Sequence, residues 1–180
     1  INKKIFTFLF AGNIGEAQDF ASIIKAVNNL IKNNITNFRV IIIGDGSKKN
    51  WLKKELNKLE IAQYFELYKS YPLSRMPSFF KHADALILGL LDKEVFNITI
   101  PGKIQFYLTS GIPIIGMISG EGAKVIKDSK AGFVCNSGDY FSFSKIMAKV
   151  INLDKKSLKD IGDNGKNFAN QEFSKEILIK

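Results

Sequence analysis

The sequence predicts an α/β domain, a Rossmann-like doubly wound parallel sheet of about six strands. Three observations predict it. Runs such as Val40–Ile43 and Ala85–Leu91 are short and almost wholly apolar, as strands buried on both faces are. The segments between such runs repeat apolar residues at i, i+3, i+4 and i+7, the spacing of a helix with one buried face. Glycine, proline and asparagine mark the junctions, so strand and helix alternate along the chain, which is the pattern of right-handed βαβ units.

The elements follow in order. Ile5–Phe10 is a strand closed by Ala11-Gly12-Asn13. Glu16 to Lys32 is an amphipathic helix burying Phe20, Ile23, Ile24, Val27, Leu30 and Ile31. Phe38–Ile43 is a strand, and Gly44-Asp45-Gly46-Ser47 turns the chain into a helix from Lys48 to Glu60 with Ser47 as N-cap. Tyr64–Tyr68 is a weaker strand, Pro72–His82 a helix, Asp84–Leu90 a strand and Lys93–Thr99 a loop. Thr99 is expected to cap a helix that holds Pro101 in its first turn, runs to Ser110 and stops at Gly111. Ile112–Ile118 is a strand with Pro113 at its start, where a missing N–H is tolerated. Ser119-Gly120-Glu121-Gly122 opens a helix to Ser129. Gly132–Asn136 is a strand, Asp139–Ile151 a helix, and Asp154 caps a last helix reaching Glu172. Phe6, Phe8, Phe10, Phe79 and Phe80 fall at strand or helix spacing and are assigned to the core.

Length and composition bound the function. The 180 residues make one domain, 46% hydrophobic and 24% charged, large enough to need no staples. The single cysteine, Cys135, excludes an internal disulfide and reads as a buried, inert thiol, which suits a reducing, cytoplasmic setting. No run approaches the ~18–20 apolar residues of a membrane span, and no signal peptide is visible. Ile1 is not a start methionine, so a longer parent protein is expected. Net charge is +9, almost all of the positive charge from lysine, the arginines being Arg39 and Arg75. Nucleic-acid readers favour arginine forks and interleaved aromatics, so a nucleic-acid partner is disfavoured. Lys48, Lys49, Lys53, Lys54 and Lys58 on one predicted helix read as a solvated face, with attraction to an anionic membrane surface as the second reading.

In open α/β sheets ligands bind beyond the carboxyl ends of the strands. The loops there are Gly12–Gly15, Gly44–Ser47, Tyr68–Tyr71, Leu91–Thr99, Gly116–Gly122 and Asn136–Asp139. Ala11-Gly12-Asn13-Ile14-Gly15 either cradles a phosphate, with backbone N–H groups and a helix N-terminus turned to it, or is simply a short βα turn. Its spacing is neither the dinucleotide fingerprint nor a P-loop. Gly44-Asp45-Gly46 is first of all a turn former. Glu121 could grip ribose hydroxyls or serve as a first-turn acid that suits the helix dipole. Lys103, one turn into its helix, runs against the dipole, which suggests a phosphate partner; a solvated lysine is the alternative. His82, the single histidine, suits a helix C-terminus, and no catalytic triad or metal-ligand cluster can be assembled.

Taken together, the segments Phe8-Leu-Phe-Ala-Gly12-Asn-Ile-Gly15, Val40-Ile-Ile-Ile-Gly44-Asp-Gly46 and His82-Ala-Asp84-Ala-Leu resemble the C-terminal domain of group 1 (family 4) glycosyltransferases of the GT-B fold. So do Pro101-Gly-Lys103-Ile-Gln-Phe-Tyr107-Leu-Thr-Ser-Gly111-Ile-Pro113, Gly120-Glu121 and Ala131-Gly132, and the segments occur in family order over almost the whole chain. The Gly-Asn-Ile-Gly and Pro-x-Lys-x-x-x-Tyr wording is similar to the bacterial branch that adds amino or deoxy sugars to surface polysaccharide such as lipopolysaccharide.

The resemblance implies two facing Rossmann-like domains, of which this chain, residues 1–180, is the C-terminal one. It would hold a nucleotide-diphosphate sugar, with UDP the expected nucleotide, while an absent N-terminal domain would hold a saccharide or lipid-linked acceptor. The isolated domain is then expected to be inactive. Residues of the donor site by this analogy are Gly12, Asn13, Gly15 and Lys103 for the diphosphate and Glu121 for the ribose. Tyr68, Lys69, Ser70 and Gly120 would lie near the base or donor. Such enzymes need no metal or cofactor, and catalytic residues cannot be assigned from this half. The expected location is the cytoplasm, with peripheral contact at the inner face of the cytoplasmic membrane.

Two departures shape the expectation. Where many relatives carry an arginine in the first loop this chain has Asn13, and no loop lysine precedes Lys25. Where many carry two glutamates eight residues apart it has Ile98 and Phe106. Phosphate recognition should therefore lean on backbone N–H groups and Lys103. Two other functions fit the same pattern: half of a sugar-nucleotide epimerase, or a non-catalytic scaffold domain of GT-B type.

Overall fold

The computed structural model of the chain describes residues 5–177. Six parallel strands form one sheet: β1 (Phe6–Ala11), β2 (Phe38–Ile43), β3 (Phe65–Tyr68), β4 (Ala85–Gly89), β5 (Ile114–Met117) and β6 (Gly132–Cys135). Their order across the sheet is β3-β2-β1-β4-β5-β6, with every neighbouring pair parallel. The chain leaves β1 toward β2 and β3, then returns to the other edge of β1. The order therefore reverses between β1 and β4, and a crevice opens there beyond the strand ends.

Period-two alternation turns each apolar strand into two core faces. Phe8 and Phe10 on β1, Val40 and Ile42 on β2, and Ala85 and Ile87 on β4 join one cluster. Leu9, Ile41, Ile43, Leu86 and Leu88 join the other. The first cluster is closed by helices α1 (Phe20–Lys32), α2 (Lys49–Lys58) and α7 (Tyr140–Ile151). The second is closed by α3 (Met76–Phe80), α5 (Gly102–Thr109), α6 (Gly120–Asp128) and α8 (Lys155–Ile177). Each of the fully enclosed phenylalanines, Phe8, Phe10, Phe20 and Phe143, contributes ~1.5–3 kcal/mol by leaving water. A short helix, α4 (Glu94–Asn97), lies in the segment expected to be loop.

Several expected boundaries move, each for a local reason. The first helix begins at Phe20, not Glu16, because the Asp19 carboxylate accepts the Ser22 N–H at 3.1 Å and fixes the start there. Ser47 does not cap α2; Lys48 holds the cap position and no side chain bonds to the first turn. Thr99 does not cap α5 either, since its hydroxyl donates back to Val95 O at 2.8 Å and the cap position falls to Pro101. Pro113 lies just before β5. The Pro72–His82 helix splits into a 3₁₀ turn at Leu73–Arg75 and α3. The last helix continues to Ile177, with Asp154 accepting Ser157 N–H at 2.7 Å as its cap. Asp139, expected as the first residue of its helix, instead caps α7, accepting Ser142 N–H at 2.9 Å. Cys135 is half-buried rather than enclosed, its Sγ 3.6 Å from Asp139 O, and burial pushes its thiol up to about 12.

Candidate functional site

A cavity of about 540 Å³ opens beyond the carboxyl ends of β1 and β2. Gly12 and Asn13 of the first loop, Gly44 and Asp45 of the second, and Ser70 and Tyr71 of the third line it, together with Gly102 and Lys103 of α5. Leu73, Met76 and Phe106 supply apolar walls. The cavity lies on the β1–β2–β3 side of the strand-order reversal, with α5 closing it from the far side.

The first two loops are stitched into one rigid lip. Gly12 N–H donates to Ile43 O at 2.9 Å, Ile14 N–H to Asp45 O at 2.8 Å, and Lys48 N–H to Ile14 O at 2.9 Å. Gly44 must be glycine here: a β-carbon would sit 1.9 Å from Gly12 O. Gly12 has φ +147, a region that favours glycine, and a β-carbon on it would meet Lys103 Nζ at 2.7 Å. Lys49 is not part of a solvated face. It donates to Gly44 O at 3.0 Å and approaches the Asp45 carboxylate at 3.5 Å, tying α2 to the lip.

Tyr107 anchors the opposite wall. Strands β1 and β4 are in register only at Phe8–Ala85 and Leu9–Leu86, so the ladder ends before Ala11. The fully enclosed Tyr107 hydroxyl takes over: it accepts the Ala11 N–H at 2.9 Å and lies 3.4 Å from Ala11 O. Burial pushes its phenol up, so it stays protonated. One helical turn earlier on the same face, Lys103 enters the cavity. Its Nζ lies 3.7 Å from the Phe10 ring centroid and 3.4 Å from Gln18 Oε1. Among the described residues it has no carboxylate partner. Burial lowers its ammonium to about 7.

The helix terminus at this site is not the expected one. Sequence reasoning aimed the N-terminus of the first helix at Gly12–Gly15, but Asp19, 6% exposed, already satisfies that end. The terminus that opens on the cavity belongs to α5, whose first residues line it and whose cap position carries no side-chain bond. Its N–H groups and the Lys103 ammonium converge on one side, the positive end of a dipole beside a cation with no counter-ion. Such a corner favours an anion.

The expected site residues divide. Gly12, Asn13, Lys103 and Ser70 line this cavity. Gly15 stands behind the lip, in contact range of the Asn13 side chain. Tyr68 and Lys69 lie beside the cavity and not in its lining. The Tyr68 hydroxyl bonds to Glu66 at 2.9 Å, which raises its phenol, and Lys69 sits over the Tyr71 ring at 5.7 Å. Glu121 is exposed in the first turn of α6. That turn packs on the start of α5 through Gly122, whose added β-carbon would meet Ile104 at 2.8 Å and Pro101 at 3.2 Å, but Glu121 is not among the residues that line the cavity. Gly120 lines a separate cavity of about 270 Å³ with Ser119, Lys124 and Cys135.

Sequence reasoning missed Tyr107, Lys49, Gln18 and the apolar wall of Tyr71, Met76 and Phe106. The spacing of Lys103 and Tyr107, four apart on one helix, was the available signal for the first. Among the described residues no group of three or more His, Cys, Asp or Glu could hold a metal ion, and no helix is long and apolar enough to cross a membrane.

Comparison with known proteins agrees with this fold. The family model described as glycosyl transferases group 1 matches residues 1–168. No curated protein sequence matches the chain. Among solved structures, the pneumococcal O-GlcNAc transferase GtfA, in complex with UDP and GlcNAc, is similar at TM-score 0.74 and 18% identity over 98% of this chain. A mutant of S. aureus TarM, solved with UDP among its ligands, is similar at TM-score 0.83 and 11% identity, also over 98% of this chain. The chain spans 34% of the length of each. The C-terminal domain of the group 1 family protein LpcC from Francisella tularensis is similar at TM-score 0.72 and 14% identity, over 93% of this chain and 86% of that one.

Proposed function

This chain belongs to the group 1 glycosyl transferases and has the Rossmann-like fold of their GT-B domains, and from that premise we propose that it is the C-terminal, donor-binding domain of such an enzyme. The parent enzyme would move a hexosyl or amino-sugar group from a nucleotide-diphosphate sugar to a saccharide or lipid-linked acceptor. One observation carries the reading: Lys103, without a carboxylate partner among the described residues, lies against Gly12 and shares one cavity beyond the ends of β1 and β2 with the uncapped start of α5. A diphosphate seated there would have its charge offset without a metal, and charge developing on it as the sugar departs would meet donors already in place.

Within this reading Gly12, Asn13 and Lys103 contact the diphosphate, and Ser70 and Tyr71 flank the base. Glu121 reaches the ribose from the rim. UDP is favoured because GtfA and TarM were both solved with it. The apolar wall formed by Phe106 and Met76 replaces acidic contacts, so the sugar is held differently from that of glutamate-bearing relatives. Leu73, Val95, Ile98, Ile100, Tyr140 and Phe141 are exposed, and each follows the carboxyl end of a strand. That rim supports a second domain closing over the site. WaaG, a glycosyltransferase involved in lipopolysaccharide biosynthesis, and the lipopolysaccharide outer core galactosyltransferase WaaB are similar in fold, which supports a role in bacterial surface polysaccharide synthesis. Cytoplasmic placement, with the lysine-rich surface on an anionic membrane face, completes the proposal.

An NMR titration with UDP, GDP and dTDP tests it. Saturable shifts with one nucleotide at Gly12, Asn13 and Lys103, weakened by Lys103→Met, are expected. Absence of binding by the full-length enzyme at millimolar nucleotide would overturn the donor reading and leave a scaffold.

A further inference from the structure

Lys103 is the one cation of this site that the fold leaves without compensation, and its surroundings say how it works. The groups around it come from every wall of the cavity. Strand β1 offers the Phe10 ring and the backbone of Ala11 and Gly12, none of which titrates. The segment before α1 offers the neutral Gln18 amide. Its acids are engaged elsewhere: Glu16 pairs with Lys48 at 2.8 Å and Asp19 caps α1. The second loop offers Asp45, which is turned to Lys49 at 3.5 Å and to Gly46 N–H at 3.0 Å. The third loop brings Tyr71, with Lys69 over its ring. α3 brings Met76, and α5 itself brings Tyr107, bonded to Ala11. No histidine lines the cavity. A charged Nζ in the empty cavity thus has only a ring face, an amide oxygen and the opposing start of its own helix.

We infer that Lys103 is a proton-coupled ligand for the donor: at and above neutral pH a substantial fraction of its side chain carries no proton while the cavity holds no anion, and that fraction takes a proton from solvent as the diphosphate enters. This rests on the donor reading above. The step balances simply. A neutral amine, a solvent proton and a dianionic diphosphate become an ammonium–diphosphate ion pair, and the proton returns to solvent when the nucleotide leaves. The device keeps an uncompensated charge out of the empty site and supplies it only when an anion is present. It also makes the site discriminate against neutral or monoanionic sugars, which cannot hold the proton in place.

The test follows the side chain and the proton separately. With the amine at about 7 in the free protein, NMR of the Lys103 Cε carbon should titrate midway between pH 6 and 8. Adding a saturating diphosphate ester, whose own phosphate protons leave far below this range, should move that midpoint up by at least ~1.5 pH units. Calorimetry with UDP-glucose or GDP-mannose, in two buffers of different ionisation enthalpy, should then show uptake of ~0.7 proton per ligand at pH 8 and ~0.1 at pH 6. Affinity should fall about fivefold from pH 7 to 8. Lys103→Arg, which stays charged, should bind with no proton uptake and a flat pH profile. Should that variant fail to fold, the wild-type measurements stand alone. A free-protein midpoint above pH 9, or binding at pH 8 with less than ~0.2 proton taken up, overturns the inference while leaving the donor site intact. If neither nucleotide sugar binds the full-length protein at any pH, the donor reading falls and this inference with it.

Discussion

Removing one oxygen tests how the site is held open. In Tyr107→Phe the ring stays in its enclosed place, packed edge-on against Phe80 at 6.0 Å between centroids. What is lost is the acceptor for the Ala11 N–H, bonded at 2.9 Å where the β1–β4 ladder has already ended. On the β4 side no strand residue is in register to replace it, so the N–H is left unsatisfied at a cost of about 1–3 kcal/mol. For a domain of this length each kcal/mol shifts Tm by about 2–4 °C, so a loss of about 2 kcal/mol predicts a drop of about 4–8 °C. Differential scanning calorimetry reads this directly. The same bond ties α5 to the end of β1, so nucleotide affinity should fall as well, because Lys103 rides on the loosened helix. A variant that melts within 1 °C of wild type would refute the reasoning: the Ala11 N–H would then have found water, and the phenol would be ornamental.

Other outcomes follow from the same geometry. Lys103→Met should stabilise the domain at neutral pH. The folded amine, at about 7, lies below the usual value of 10.5, so the unfolded chain binds more protons between those values and wild-type stability rises with pH across that window. The advantage of the Met variant is therefore greatest below pH 7 and vanishes near pH 10.5; at about 1.4 kcal/mol per pKa unit the ceiling is near 5, and partial solvent contact reduces it to ~1–3 kcal/mol in urea melts. Gly44→Ala should unfold or open the lip, since its methyl group would collide with Gly12 O; a folded variant with unchanged nucleotide binding would contradict the close approach. If Glu121 holds ribose, Glu121→Ala weakens binding of a nucleoside diphosphate by roughly tenfold and leaves inorganic pyrophosphate unaffected in calorimetry. Co-sedimentation with anionic vesicles at low salt should be reduced by Lys145→Glu, which lies beside exposed Phe141 on α7; equal binding to neutral vesicles would remove the electrostatic argument.

The sequence by itself determined the six strands and the helices between them, because those are written in short-range periodicity. Phe38–Ile43 came out to the residue, and Asp154 was legible as a cap because a carboxylate three residues before a free N–H is a local arrangement. Local competition also accounts for the misplaced ends: Asp19 won over Glu16 as the helix start, and the Thr99 hydroxyl turned back to Val95. Only the tertiary structure decided which loops meet. The strand order β3-β2-β1-β4-β5-β6 carries α5 across to β1, bringing Lys103 and Tyr107 onto Gly12 and Ala11, and it leaves Glu121 out of the cavity lining. Residues some ninety apart in the chain come together by crossovers whose path no periodicity records. The depressed charge of Lys103 has the same origin, because desolvation depends on what encloses a side chain, and that is fixed only when the sheet is assembled.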